Sequence, residues 1–447
     1  MVYKTPNVYV EEISTFPPSV AEVSTAIPAF IGYTDKAGRG SEYLTNKPTR
    51  ISSLLDYETL FGKAYASEFE VTQSAGVIAP ISPPTLKYLM YYALRIYFDN
   101  GGGSCYIVSV GEYSTIEKSV ANFEAGLTAL EKEDEPTLIM LTDAVTLGDT
   151  DYYGLCVKAL TQCNRLKDRF AIFDVMKDKV KEFRNGIGTA YLKYGAAYSP
   201  DLQTSLNYYY TDESVTINED GGTTNSKLTE YNDPQSLLYN TDLYNKIKTE
   251  LAKQRVVLPP SAAVAGVYAR VDRDRGVWKA PANVSLASVL GPTEKITNDE
   301  QENLNVHTSG KSINAIRSFT GKGTLIWGAR TLAGNDNEWR YIPVRRLFNL
   351  IEESIQKATA FVVFESNNAI TWLKVKSLIE SYLEGLWRQG ALAGSTPEQA
   401  FFVNIGLGKS MTAQDILEGR MIVEIGLAAV RPAEFIILKF SHKLQEA

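Results

Sequence analysis

The sequence predicts an α/β fold built around a largely parallel sheet, and two observations support this prediction. Between about residues 86 and 198, short apolar segments with the length of strands alternate with segments that have the apolar spacing of helices. The intervening helices are about 10–17 residues long, a length that suits βαβ crossovers. We therefore expect parallel strands in one sheet, with helices on both of its faces.

The individual elements are predicted in order along the chain from the same two patterns. Short apolar and β-branched segments indicate strands, and helical spacing of apolar residues indicates helices. The predicted strands are 26–32, 105–110, 137–142, 169–174, 190–198, 324–330, 420–430 and 434–440. The predicted helices are 51–61, 86–98, 115–131, 150–166, 177–185, 240–253, 258–270, 343–360 and 368–388.

Residues 200–236 interrupt this alternation. They are rich in Asp, Asn, Thr, Tyr, Ser and Gly and contain few aliphatic residues. Asp220, Gly221 and Gly222 form a turn signal in their middle. The segment is predicted to be a surface insertion that contains a long hairpin.

Composition argues against several classes of function. The 447-residue chain has a net charge of −7, whereas a nucleic-acid surface normally carries excess Lys and Arg. Its 3 cysteines indicate a reducing cytoplasm rather than a disulfide framework. No apolar run reaches the ~18 residues that a membrane span needs, and the first residues lack the apolar core of a signal peptide. Only 2 histidines, His307 and His442, are available for imidazole chemistry.

Motifs for catalysis or cofactor binding are incomplete. Gly310, Lys311 and Ser312 resemble the end of a P-loop, but the required earlier glycine is replaced by Asn305. A charged segment, 272–276, lacks the regular oxygen ligands of a calcium loop, and we expect a solvated turn or an ion-paired subunit contact there. The sequence therefore predicts no catalytic residues, no cofactor and no metal site. An α/β hydrolase-like enzyme that uses His307 is the alternative.

The two ends of the chain are more informative than the motifs. Both are extended and strand-forming, and neither has a neighbouring segment that would pair with it as a hairpin. A strand needs hydrogen-bonding partners for its backbone, and addition to a neighbouring subunit supplies them. This predicts a homopolymer, and a head-to-tail contact that does not close gives a helical filament. Pairing within the same subunit is the alternative.

A set of motifs that follow one another in a fixed order along the chain resembles the contractile tail sheath proteins. This family includes the sheaths of phage tails, R-type pyocins and phage-like extracellular contractile injection systems. The motifs are 6–13 (PNVYVEEI), 23–32 (VSTAIPAFIG), 102–108 (GGSCYIV), 259–270 (PPSAAVAGVYAR), 276–283 (GVWKAPAN), 313–317 (INAIR), 327–332 (WGARTL), 341–347 (YIPVRRL) and 419–436, which ends in VRPAEFI.

The resemblance implies a domain organisation. Sheath subunits have an inner domain made from both termini and a subtilisin-like α/β outer domain inserted between them. Residues 1–30 are then the N-terminal arm and part of the inner domain, and residues 31–330 are the outer part. Its subtilisin-like core covers about 86–330, and residues 331–447 complete the inner domain with terminal strands.

The resemblance also implies a non-enzymatic mechanism and a set of partners. Subunits would polymerise helically around an inner tube protein and contract to drive the tube through a target envelope. Baseplate and tail-terminator or cap proteins would complete the particle, without nucleic acid or insertion into a membrane. Assembly would take place in the bacterial cytoplasm, as part of a phage tail or a phage-like injection particle. A static shell or filament protein is a further alternative.

Contact residues are assigned from this resemblance in two groups. Strands exchanged between subunits are expected to contain Val8, Tyr9, Val10, Glu11, Ile422, Val423, Glu424, Ile425, Phe435, Ile436, Ile437 and Leu438. A short helix around 412–420 resembles the element that faces the tube, and the tube-facing candidates are Lys409, Asp415, Glu418 and Arg420.

Overall fold

The structure is a computed structural model that describes residues 20–114, 117–219 and 224–438. Its strands are β1 Pro28–Thr34, β2 Gly38–Arg39, β3 Glu42–Tyr43, β4 Thr49–Ile51, β5 Phe69–Ser74, β6 Val77–Ile78, β7 Cys105–Glu112, β8 Leu138–Leu141, β9 Phe170–Asp174, β10 Gly195–Ser199, β11 Leu202–Asn207, β12 Val215–Glu219, β13 Thr224–Lys227, β14 Arg255–Leu258, β15 Val284–Ser285, β16 Val289–Pro292, β17 Asn314–Phe319, β18 Gly323–Ile326, β19 Phe401–Ile405 and β20 Val423–Leu427. Its α-helices are α1 Leu54–Phe61, α2 Met90–Asp99, α3 Val120–Leu130, α4 Asp149–Leu166, α5 Val180–Gly186, α6 Thr241–Leu251, α7 Ser261–Arg275, α8 Asn298–Asn305, α9 Ile342–Ala358, α10 Ala369–Arg388, α11 Pro397–Ala400 and α12 Ala413–Leu417.

A mixed sheet organises residues 28–326. Its nine strands lie in the order β15-β18-β17-β10-β9-β8-β1-β7-β4. The strands from β17 to β7 in this order are parallel, and β18, β15 and β4 add antiparallel edges. Strands β8 and β9 are buried along their whole length, as expected for parallel strands that are covered on both faces. The predicted α/β class is thus confirmed.

Helices cover both faces of this sheet. Ile31 and Gly32 are consecutive in β1, so they point to opposite faces. Gly126 of α3 lies against Ile31, whereas Met90 of α2 lies against Gly32. A Cβ atom at Gly32 would lie 2.5 Å from Asp143 Oδ2, so this position has room only for glycine.

The described chain forms two compact units. Residues 24–350 and 431–438 belong to the large unit, and residues 20–23 and 351–430 belong to the small unit. The division between these compact units lies at residue 351, within α9, and the domain boundary at 331 stays a prediction. The small unit buries a separate set of apolar side chains: Ile351, Ile355, Val375, Leu378, Ile379, Leu383, Leu386, Leu392, Val403 and Ile405.

The prediction of a surface insertion at 200–236 needs correction. Strands β12 and β13 do pair as a hairpin across the predicted turn. However, β12 also pairs in parallel with β5, and Leu202, Val215, Ile217 and Leu228 are each at most 1% exposed. The segment is poor in aliphatic residues, but the few that it has are placed in the core.

Two predicted strands also differ from the structure. The segment 190–198 begins as a 3₁₀ turn, with Tyr191 in a left-handed conformation at φ 60°, and becomes strand β10 only at Gly195. The segment 434–440 is not a strand over its described part, 434–438. A strand requires a neighbour for its backbone hydrogen bonds, and the described residues provide none there.

Candidate assembly interface

The small unit contains a two-stranded sheet with free edges. Strands β19 and β20 pair antiparallel from Phe401–Leu427 to Ile405–Val423, and α10 packs against β19. Within the described ranges, neither strand has a second strand beside it. Each outer edge therefore presents backbone N–H and C=O groups that another strand could pair with.

The predicted exchange residues of the small unit lie in or next to β20. Val423, Glu424 and Ile425 belong to the strand, and Ile422 precedes it. The Ile422 carbonyl accepts a hydrogen bond of 2.6 Å from Ser410 Oγ, which ties the start of β20 to the loop after β19. Glu424 and Ile422 are exposed, whereas Val423 and Ile425 are half-buried.

The predicted tube-facing charges are largely paired with one another. The Arg420 guanidinium lies 2.7 Å from Asp415 and 2.7 Å from Glu418. Asp415 also accepts hydrogen bonds from Thr412 Oγ1 and from the Thr412 backbone N–H, and these bonds lower the pKa of its carboxyl group. Arg420 is therefore already neutralised within its own subunit, whereas Lys409 is exposed and has no ion pair among residues 20–114, 117–219 and 224–438.

The described end of the chain is an exposed apolar segment. Phe435, Ile436, Ile437 and Leu438 are 68–80% exposed. No main-chain hydrogen bond connects residues 431–438 to any other described residue. Four consecutive exposed apolar side chains on an unpaired backbone are unusual on a monomeric surface and are typical of a segment that is covered by a partner. We call residues 435–438 the C-terminal segment.

Glu434, the residue before the C-terminal segment, forms a cluster with three side chains of the large unit. Its Oε1 accepts from Arg330 Nε at 2.8 Å and from Asn305 Nδ2 at 2.7 Å. Its Oε2 accepts from Arg330 Nη2 at 2.6 Å and from Tyr341 Oη at 3.0 Å. Burial acts to raise the pKa of Glu434, but these hydrogen bonds and the Arg330 charge outweigh it and lower the pKa below its usual value. We call these four residues the Glu434 clamp.

The clamp borders a groove of about 660 Å³ in the large unit. Pro432–Ile436 form one wall, and Asn283, Gln301, Arg317 and Trp327 contribute to the others. The sequence pattern did not single out Arg330 or Glu434 as contact residues. Both lie in segments that resemble the sheath family, 327–332 and 430–436, and that was the only signal available.

The titratable groups that catalysis would need are dispersed. His307 is half-buried, and its Nδ1 lies 2.8 Å from Ser309 Oγ in a local turn; among the described residues it has no carboxylate partner. The three cysteines are buried free thiols, and burial raises the pKa of each. No group of three or more His, Cys, Asp or Glu side chains in the described chain is arranged to hold a metal ion.

The charged segment 272–276 is not a solvated turn throughout. Asp272 forms a nearly buried ion pair with Arg346, whose guanidinium also donates to the Thr25 carbonyl at 2.8 Å. The predicted solvated turn or subunit contact is therefore wrong for Asp272. The arginine is 74 residues away in sequence, which is why local spacing gave no sign of it.

One buried carboxyl group has strongly altered acidity. Asp174, at the end of β9, accepts from the Ser261 N–H at 2.7 Å and from Ser261 Oγ at 2.6 Å, at the start of α7. Burial raises the pKa of Asp174 to about 7 despite these bonds.

The helices in the described part of the chain include no candidate for a membrane span, because none combines the required length with the required apolar character.

Comparison with known proteins assigns most of the second half of the chain to sheath domains. Residues 201–332 match the phage tail sheath protein central domain, and residues 334–443 match the phage tail sheath C-terminal domain. The tail sheath protein of Enterobacteria phage T4 is 26% identical over 147 residues, which are 33% of this chain. That match covers only 21% of the phage protein, so the two are comparable over a limited part of its length.

Solved sheath structures match the whole chain. The helical sheath of the anti-feeding prophage in its contracted state is 34% identical, covers 99% of this chain and 100% of that chain, and has a TM-score of 0.69. The sheath complex of the PVC extracellular contractile injection system, also contracted, is 33% identical with a TM-score of 0.66, over 100% and 99% of the respective chains. Because these matches extend over nearly all of both chains, the protein belongs to the family of contractile tail sheath proteins.

Proposed function

We propose that the protein is the repeating subunit of a contractile sheath, which polymerises helically around an inner tube and shortens to drive that tube through a target envelope. The observation that carries this proposal is the exposed C-terminal segment without backbone partners, in a chain whose full-length relatives are sheaths in a contracted state. Such a segment is explained when a neighbouring copy of the chain covers it.

In this proposal the subunits are connected by strand exchange. Val8–Glu11 of the arm, which lies outside the described residues, and Phe435–Leu438 would each pair with a strand of a neighbouring copy. The free edges of β19 and β20 are suitable acceptors, because each offers a row of backbone donors and acceptors. These links would persist while the subunits move, so that the lattice rearranges without dissociating.

The large unit would then be the subtilisin-like outer domain, and the small unit would be the inner domain near the tube. The tube contact would come from residues 409–420, which include α12, with Lys409 as the available cation and with Asp415, Glu418 and Arg420 as a largely neutral cluster. Baseplate and terminator proteins would lie at the ends of the polymer. The polymer would assemble in the bacterial cytoplasm. The proposed role is structural, and contraction would draw on better subunit contacts in the shorter state.

The arm supplies the test of this function. Deletion of residues 1–13 should leave a folded protein that forms no tubes, because one exchanged strand is missing. A finer version replaces Val10 with proline, which removes one backbone N–H and blocks strand pairing at that point. The matched control is Val10→Thr, which keeps a β-branched residue and the N–H.

Negative-stain microscopy and sedimentation would measure the outcome. We expect abundant tubes from the parent protein and from V10T, and at least tenfold less sedimentable protein from V10P and from the deletion. Tubes of normal length from the deleted protein would contradict the proposed strand exchange.

A further inference from the structure

We propose that the Glu434 clamp is the anchor of the exchanged C-terminal segment: it fixes where the segment leaves its own subunit and transmits the pull of the neighbouring copy to the large unit. This inference rests on the proposed sheath function and goes beyond it, because it assigns a positioning role to residues that take no part in strand pairing themselves.

Both oxygens of the Glu434 carboxylate are fully engaged. Oε1 accepts two hydrogen bonds and Oε2 accepts three, from Arg330, Asn305 and Tyr341. These partners come from three separate places in the large unit: the end of α8, the segment after β18 and the residue before α9. A group held from three directions has little freedom to rotate, so the backbone at residue 434 has a defined position and direction.

Residues 431–438 have few other restraints. Among the described residues, no main-chain hydrogen bond holds residues 431–438. The polar contacts of this stretch are the clamp and a hydrogen bond of 2.7 Å from Arg431 Nη1 to the Asn337 carbonyl. Tension applied at residues 435–438 would therefore reach the subunit body through side-chain bonds, and the bidentate ion pair is the strongest of them.

The ion pair between Arg330 and Glu434 is partly withdrawn from water. The Arg330 side chain is only 4% exposed, and a buried ion pair loses hydration that its attraction only partly returns. The pair therefore adds little net stability for its size, which fits a role in fixing a geometry. Here the geometry that is specified is the exit point of an exposed apolar strand.

The experiment compares two clamp variants with a matched control in the full-length protein. Glu434→Gln keeps the size of the side chain but removes its charge, and Arg330→Lys keeps a charge but cannot form the bidentate contact. The control is Glu250→Gln, which makes the same substitution on α6 of the same unit. Glu250 forms a solvent-accessible ion pair with Lys253. Sedimentation and microscopy measure sheath mass and length, and thermal unfolding reports global stability.

A local measurement separates anchoring from general stabilisation. Ile436→Cys introduces an exposed thiol into a protein whose own cysteines are buried, so a fluorophore can be attached there selectively. The fluorescence anisotropy of this label is measured in protein diluted below the assembly threshold. It reports how firmly the start of the C-terminal segment is held. Combining Ile436→Cys with Glu434→Gln tests the clamp directly.

We expect E434Q and R330K to reduce sheath mass at least tenfold while E250Q stays within twofold of the parent. The anisotropy at position 436 should fall by about half in E434Q when it is measured well below the thermal midpoint, which should itself fall because Arg330 stays buried without its partner. Clamp variants that form sheaths of normal mass at a temperature where they remain folded, or an unchanged anisotropy at position 436 in E434Q, would each overturn the anchor. Failure of the parent protein to form sheaths would instead overturn the proposed function.

Discussion

Two buried ionisable groups of the large unit, Asp272 and Asp174, meet partners that are far away in the sequence. Arg346 and Asp272 are both nearly buried, and Arg346 also lies over the Tyr268 ring. Asp174 is held by both the N–H and the hydroxyl of Ser261. Removal of either partner from the Asp272–Arg346 pair leaves an uncompensated buried charge, which typically costs about 3–5 kcal/mol.

Asp174 leads to a prediction about pH. An unfolded aspartate has a pKa near 3.9, whereas burial raises the pKa of Asp174 to about 7 in the folded protein. Between these values the folded state binds more protons than the unfolded state, so this group lowers stability as the pH rises from about 4 to about 7. Asp174→Asn removes that titration, and its amide can still accept from the Ser261 N–H and donate to Ser261 Oγ.

The measurement is the thermal midpoint at pH 5 and at pH 8. The parent should lose stability of the order of a few kcal/mol across this range, and D174N should lose clearly less. Some dependence should remain in D174N, because burial and Glu294 also raise the pKa of Asp201, to about 6. The control D178N changes an exposed aspartate and should behave like the parent. Equal slopes in D174N and the parent would show that Asp174 does not titrate in this range.

Among the elements, the helices were the easiest to predict and the terminal strands the hardest. Helix α10, for example, was expected at 368–388 and spans Ala369–Arg388, with the Asn368 side chain accepting from the Ile370 and Thr371 N–H groups at its start. A helix makes its hydrogen bonds within its own segment, so its sequence carries most of the information. A strand depends on a neighbour, and the predicted strand 434–440 has none in the described part of the chain.

The C-terminal segment therefore gives a prediction at the level of an element. Ile437→Ser should reduce sheath assembly at least tenfold, because an exchanged strand would bury this side chain in the polymer, while the unfolding of the single subunit stays unchanged. The reason is that Ile437 is already 78% exposed before assembly. Sedimentation and thermal unfolding would measure the two effects separately.

Leu237→Ser serves as the matched control, since Leu237 is also fully exposed in the large unit but lies outside the proposed exchange strands. It should assemble like the parent protein. If I437S and L237S assemble equally well, Phe435–Leu438 is not an exchanged strand.

At the scale of the whole molecule, the net charge of −7 is repeated in every copy of a polymer. Like charges at this density oppose assembly, and salt weakens the opposition by screening it over about 10 Å at 0.1 M. Local apolar and strand contacts must therefore outweigh the repulsion. This is consistent with the exposed apolar residues of the small unit and of the C-terminal segment.

A contractile sheath differs from a static shell by having two stable lattices. We expect purified tubes to show two diameters, with the wider state shorter per subunit and favoured after mild destabilisation by urea or heat. Cryo-electron microscopy of one preparation before and after this treatment provides the measurement. The untreated sample is the control, and a single diameter under all conditions would favour a static filament.

The sequence by itself determined the α/β class, the order of most helices and strands, and the resemblance to sheath proteins. These depend on periodicity and short motifs, which are properties of neighbouring residues. Only the tertiary structure decided that Arg420 is neutralised by Asp415 and Glu418, that part of 200–236 is buried, and that Glu434 meets Arg330. The last pair is separated by 104 residues, and no local pattern encodes which distant side chains a fold brings within hydrogen-bonding distance.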